Sequence, residues 1–157
     1  MVTIRRAVDS DIDTVQMFGS KLLDFERENY DSSLDKNWAF SDEAKEKYLV
    51  AIREKYVAIA EADNQPIGFL IGNIIPPRPG DARQIKQAYI QNIYVEEKQR
   101  STGVGRKLIE EFKSYCEKES VNRLNVSVLA TNKVANDFYK RVGFNPRSIN
   151  LYLDLNH

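Results

Sequence analysis

Two short stretches of this sequence carry residues whose types and spacing suit chemistry. In the first, VEEKQRSTGVGRKLIEEF at 95–112, Arg100-x-x-Gly103-x-Gly105 follows an apolar run and opens an amphipathic one. The glycines let the backbone come close to a ligand, and a turn opening a helix exposes N–H groups at the positive end of its dipole. Such a place favours a phosphate. The two commonest phosphate motifs fail: a dinucleotide fingerprint needs glycine where the chain has Leu108, and in a Walker loop Gly-Lys-Ser/Thr would stand where Gly105 is followed by Arg106 and Lys107. In the second stretch, NKVANDFYKRVGF, Asn132, Asn136 and Tyr139 fall at i, i+4 and i+7 and share one helix face, apart from the apolar Ala135, Phe138 and Val142. Taken singly, these features have plainer readings: a glycine turn with no ligand, an N-cap at Asn132, a half-buried core aromatic at Tyr139.

The elements that must position these residues follow from periodicity. Residues 2–7 predict a strand, and Asp9, Ser10 and Asp11 suit the start of a helix whose apolar stripe, Ile12, Val15, Phe18, Leu22 and Phe25, runs to about Arg27. Ser41 predicts the cap of a second helix reaching about Arg53. KYVAIAEA and PIGFLIGNII flank the short DNQ connection, so a hairpin of two buried strands is expected at 55–62 and 66–75. Pro76, Pro77, Pro79 and Gly80 break the pattern before a strand at 87–95. A helix over 103–118 presents Val104, Leu108, Phe112 and Tyr115 on one side, with Ile109 and Cys116 adjoining. A strand over 122–130 completes a βαβ unit. A helix closed by Gly143 and a last alternating strand at 148–155 end the chain.

The 157 residues suit one domain, 1–157, with no repeat or linker. Lys+Arg and Asp+Glu each total 23, so no overall field draws nucleic acid or an anionic membrane, and any charged partner is selected locally. The lone Cys116 forms no internal disulfide and reads as a small core residue. With no apolar run at the N-terminus resembling a signal peptide, the reducing cytoplasm is the expected location.

Together the two stretches resemble the GNAT superfamily of acyl-CoA-dependent N-acetyltransferases. Its signature Gln/Arg-x-x-Gly-x-Gly/Ala after the fourth strand appears as Arg100, Gly103 and Gly105, and its Asn-x-x-Ala-x-x-x-Tyr-x-x-x-Gly-Phe as Asn132, Ala135, Tyr139, Gly143 and Phe144. Agreement extends to IRRAVDSDIDTV and to the hairpin AEADNQPIGFLIG, and is least clear at 28–54 and 76–87. The resemblance implies an α/β fold with a mixed, mostly antiparallel sheet of six or seven strands, helices on both faces, and the fourth and fifth strands parallel and splayed. Dimerisation is common among such proteins.

It also implies acetyl-CoA as cosubstrate and no metal. The turn Arg100, Ser101, Thr102, Gly103, Val104, Gly105 and Arg106 would cradle the pyrophosphate, the pantetheine arm would lie beside Ile93, Tyr94 and Val95, and Asn132 would hydrogen-bond that arm. Arg106, Lys107 and Lys140 would meet the ribose phosphate or simply be solvated. An amine would attack the thioester directly through a tetrahedral oxyanion, with Tyr139 protonating the departing sulfur. Many relatives carry a general base on the fourth strand, but here that strand offers Tyr89, Gln91, Asn92 and Tyr94, none acidic. A water chain, Glu26 or Glu28 are the alternatives, while His157, the last residue, reads as frayed. The acceptor is expected between the 28–41 segment, the 76–87 loop and the end of the last strand. There Glu26, Glu28, Asp31 and Asp35 with Tyr30 and Trp38 suit a cationic amine. A small amine, a peptide lysine or N-terminus, and a non-catalytic acyl-CoA-binding module stand as the readings to separate, beside an α/β domain with no ligand.

Overall fold

Among the described residues, five strands form one sheet in the spatial order of the chain: β1 (Val2–Arg6), β2 (Tyr56–Ala62), β3 (Gln65–Ile75), β4 (Gln87–Val95) and β5 (Arg123–Val126). The computed structural model describes residues 1–77, 79–80 and 84–155. The first three pairings are antiparallel and β5 runs parallel to β4. The connection between β2 and β3 is two residues long, with Asp63 and Asn64 both at positive φ, the twist that a tight hairpin requires.

Alternation along β2 and β3 sorts the helices α1 (Ile12–Asn29), α2 (Asp42–Glu54) and α3 (Val104–Lys118) onto opposite faces. Val57, Ile59, Phe69 and Ile71 point to one side and pack with Val15 and Phe18 of α1 and Ala44, Tyr48, Ala51 and Ile52 of α2. Phe18 stacks on Phe69 with ring centres 5.6 Å apart. Tyr56 points the other way, 4.8 Å from the Phe112 ring and 4.9 Å from Tyr115 of α3. Gly72 shares that face because a Cβ there would stand 2.2 Å from the Phe112 ring. The sheet is thus covered on both sides, which is why β2 and β3 read as continuous apolar runs rather than alternating ones.

Two irregularities break the ladders. Ala60 pairs with Gly68 but Glu61 with Pro66, leaving Ile67 as an extra residue on β3. Ile71 pairs with Asn92 but Gly72 with Ile90, so Gln91 is an extra residue on β4. The second bulge resets the phase of β4. Ala88 and Ile90 share the α3 side with Gly72, whereas Asn92 and Tyr94 turn to the α1 side, where Tyr94 lies 5.9 Å from Phe18.

The chain divides into two compact units, Met1–Ser127 and Val128–His157. In the second, α4 (Lys133–Arg141) is the regular element among the described residues. The strand count differs from the six or seven implied. The expected strand at 122–130 is limited to Arg123–Val126, and the segment 148–155 joins no ladder among the described residues, with Ile149, Leu151, Tyr152, Leu153 and Leu155 exposed. The physical reason is that alternation supplies only a strand's faces; the hydrogen bonds must come from a neighbour.

Candidate active site

The glycine turn is held from below by its own first residue. After β4 the chain makes a 3-10 turn, Glu97–Gln99, and Arg100 folds back so that its Nε donates to the Val95 carbonyl at 3.0 Å. Its guanidinium lies 4.9 Å from the centre of the Phe25 ring and 5.5 Å from that of Tyr94, stacking the turn against α1 and β4. The Thr102 hydroxyl donates to the Gln99 carbonyl at 2.6 Å. Ser101 and Gly103 then take positive φ, 63° and 93°, and α3 begins at Val104. A left-handed residue followed by a helical one turns successive amides to the same side. Lys107 N–H closes the first helical bond, to Gly103 at 3.0 Å. Among the described residues the N–H groups of Ser101 through Arg106 have no acceptor, and no acid stands in the first turn of α3.

Beside this turn β4 presents an open edge. Its pairing with β5 covers Gln87–Ile90 against Arg123–Val126 and stops there, while β3 pairs with β4 as far as Val95. Ile93, Tyr94 and Val95 therefore have no strand partner on the β5 side among the described residues, the Val95 carbonyl being taken by Arg100. The splay begins at the bulge.

On the α1 and α2 side of the sheet, the same bulge meets a cleft of about 680 Å³. Gln91 and Asn92 line it together with Ile71, Gly19, Leu23, Trp38, Tyr48 and the charged Glu43, Glu46, Lys47 and Lys55. Its shape follows from local rules. Gln16, buried, donates to the Ala39 carbonyl at 3.0 Å and holds the 3-10 turn Lys36–Phe40, which Asp35 caps. That fixes Trp38 edge-on to Tyr48, ring centres 6.3 Å apart. Ser41 caps α2 by accepting from Ala44 N–H at 3.1 Å. Where α1 crosses α2 only glycine fits, since a Cβ on Gly19 would fall 2.1 Å from the Tyr48 hydroxyl. Burial raises the pKa of Tyr48.

From the expected acceptor wall, Trp38 lines the cleft, whereas Glu26, Glu28, Tyr30, Asp31 and Asp35 do not. Glu26 is half-buried, and its carboxyl pKa is raised by burial and then by the Asp31 charge. Among the described residues no cation pairs with it. The 76–87 loop lies partly outside the described residues, and His157 wholly so. The sequence reading missed α2 as the cleft's main wall. Its available signal was Glu43, Glu46 and Val50 at helical spacing beside Tyr48.

In the second unit the motif around Tyr139 is a helix with both ends capped. The Asn132 Oδ1 accepts from Ala135 N–H at 3.0 Å, and Asn136 Nδ2 donates to the carbonyls of Leu129 and Asn132 at 2.9 and 2.8 Å. At the other end Gly143, at φ 103°, donates to Lys140 and Phe144 N–H donates to Tyr139 O at 2.9 Å. This crossed pair of bonds is the glycine helix stop, and its usual apolar contact is made by Phe144, 5.5 Å from the Tyr139 ring. Phe138 lies 5.3 Å away. The Gly-Phe of the motif thus fixes the ring of Tyr139, which is buried.

Cys116 is buried on α3 and its thiol is pushed up to about 11, chiefly by burial. A thiol so protonated makes a poor nucleophile. Alkylation by iodoacetamide at pH 8 is expected to proceed slowly in the native protein and rapidly after denaturation. Equal rates would show the site to be open.

The acetyltransferase (GNAT) family matches residues 19–144 of this chain. An uncharacterized N-acetyltransferase of Methanocaldococcus jannaschii, MJ1207, is 27% identical over 154 residues, covering 94% of this chain and 62% of that protein. The chain therefore spans less than two thirds of that relative's length. Among solved structures, a variant of the BH1408 protein from Bacillus halodurans superposes with a TM-score of 0.88 at 21% identity, covering 98% of this chain and 99% of that one. The aminoglycoside N-acetyltransferase AAC(6')-Iy, solved in complex with CoA, gives 0.76 at 15% identity, covering 100% and 96%. At these identities the two structures speak for the fold.

Proposed function

Because the chain belongs to the acetyltransferase (GNAT) family, we propose that it transfers the acetyl group of acetyl-CoA to a primary amine, in the cytoplasm. The observation that carries this reading is the run of unpartnered amides from Ser101 to Arg106 at the positive end of α3. On a chain with no net charge, an anion must be drawn by such a local field. These amides hold the pyrophosphate. Ile93, Tyr94 and Val95 receive the pantetheine arm along the open edge of β4, and Asn132 adds a bond through Nδ2, its oxygen being committed to Ala135. Arg100 keeps the turn pinned to β4.

The thioester supplies an electrophilic carbonyl. A free amine of the acceptor attacks it, the C–N bond forms and the C–S bond breaks. Tyr139 gives its proton to the sulfur and recovers one from the pool into which the amine's proton passed. An amine of pKa about 10 must be deprotonated first. β4 brings no carboxylate to the bulge, so a water chain, Glu26 or Glu28 takes that proton.

The absence of an acid among Tyr89, Gln91, Asn92 and Tyr94 favours one other reading, a module that binds acyl-CoA without turnover. Calorimetry with CoA, followed by thiol release across a panel of amines and peptides, separates the two. Heat without release from any amine selects the module, and no heat at all ends both.

The turn itself is testable. A Cβ at position 103 meets nothing within 4 Å, so the demand for glycine there is conformational. Forcing an L side chain into the left-handed region costs about 1–2 kcal/mol. Gly103→Val is therefore expected to weaken CoA binding about tenfold, read by calorimetry. Unchanged affinity would remove the turn from the binding site.

A further inference from the structure

We infer that the acceptor is an α-amino acid, its carboxylate read by Lys55 at the β4 bulge and a cationic side chain by Glu46 at the far end of the cleft. This rests on the acetyl-transfer reading and adds the acceptor's class.

The argument is one of charge complementarity. Among the described residues, four charged side chains line the cleft: Glu43, Glu46, Lys47 and Lys55. Glu43 and Lys47 satisfy each other, 2.6 Å apart, and Lys47 also lies 5.3 Å over the Trp38 ring. Glu46 and Lys55 are left without an ionic partner among the described residues. Nine residues apart along α2 and its cap, they stand roughly 13 Å from one another on the helix axis. The cleft is therefore a dipole, with its cation beside the chemistry.

The position of Lys55 is specific. Its Nζ lies 3.5 Å from Gln91 Oε1, the extra residue of the bulge, beyond which β4 opens its edge to the pantetheine arm. A carboxylate bound to Lys55 thus sits next to the place where the acetyl carbonyl arrives. An amine on the adjacent carbon reaches that carbonyl, whereas a simple polyamine would set a positive charge against Lys55. The space between Trp38, Leu23 and Ile71 takes an aliphatic side chain. The transfer balances as before: the amine gains acetyl, CoA leaves as the thiol, and the ammonium proton goes to solvent.

L-Lysine and cadaverine, which differ by the carboxylate, are the probes. Thiol release with acetyl-CoA is expected to show L-lysine favoured in kcat/KM by about 10- to 100-fold, the range a charge-assisted hydrogen bond supplies. Trp38 is the chain's one tryptophan and lines the cleft. Its fluorescence therefore reports binding of L-lysine independently of turnover. Lys55→Met should raise that dissociation constant about 10- to 100-fold and collapse the preference, Lys55→Arg should retain most of it, and Lys45→Met, on the exposed side of α2, should leave it as it was. Cadaverine acetylated as well as L-lysine, or a preference indifferent to Lys55→Met, overturns the inference and leaves acetyl transfer standing. Failure to bind CoA overturns both.

Discussion

Tyr139→Phe is expected to lower turnover about 10²- to 10⁴-fold, the usual worth of a positioned proton donor, while CoA affinity stays within about twofold. The substitution removes one hydroxyl and keeps the ring. The ring contacts to Phe138 and Phe144 survive, as does the bond from Phe144 N–H to the Tyr139 carbonyl that closes α4. A loss of thiol release without a loss of thermal stability would therefore report chemistry. Tyr139→Ala, which empties the space beside Phe144, should lower both. Full turnover in the phenylalanine variant would strip Tyr139 of the role proposed for it, and turnover lost together with melting temperature would mark it as a packing residue.

Phe112→Ala should cost about 3–5 kcal/mol of folding stability, as large-to-small changes of a buried aromatic do. For a chain of this length that corresponds to a fall in melting temperature of roughly 6–20 °C. The ring is fully buried and stands over Gly72 and beside Tyr56, so it joins α3 to β2 and β3 next to the bulge. Gly72→Ala provides the converse. With a Cβ 2.2 Å from the ring it should destabilise by overpacking, about 1–3 kcal/mol. In a Phe112→Leu background the penalty should shrink, because the two substitutions share one space. Strict additivity in thermal or urea unfolding would show that the two residues do not meet. α3 carries the anion-binding turn at its N-terminus, so Phe112→Ala should also weaken CoA binding, whereas the leucine variant should retain most of it.

Much of this arrangement is legible in the sequence because it is local. The stripe Val15 and Phe18, the Ser41 cap, the Asp63-Asn64 hairpin, the Gln87–Val95 strand and the apolar side of α3 each depend on residues within a few positions of one another. So does the tie between Tyr139, Gly143 and Phe144, since a glycine stop bonds residues four or five apart. The two motifs and their order along the chain identified the family for the same reason.

What the sequence alone did not determine depends on partners distant in the chain. Strict alternation would have put Asn92 and Tyr94 on the same side as Ala88 and Ile90. The ladder with β3 inserts Gln91 and sends them to the opposite face, which decides both the open edge and the floor of the cleft. The residues 148–155 alternate as well as any strand, yet alternation offers no hydrogen-bond partner, and the structure gives them none among the described residues. Likewise Glu46 and Lys55 read as ordinary helix charges until α2 packs against α1 and β4 and leaves them facing one cavity. Helices carry their bonds within themselves, whereas a sheet and a cleft exist only once separate segments meet.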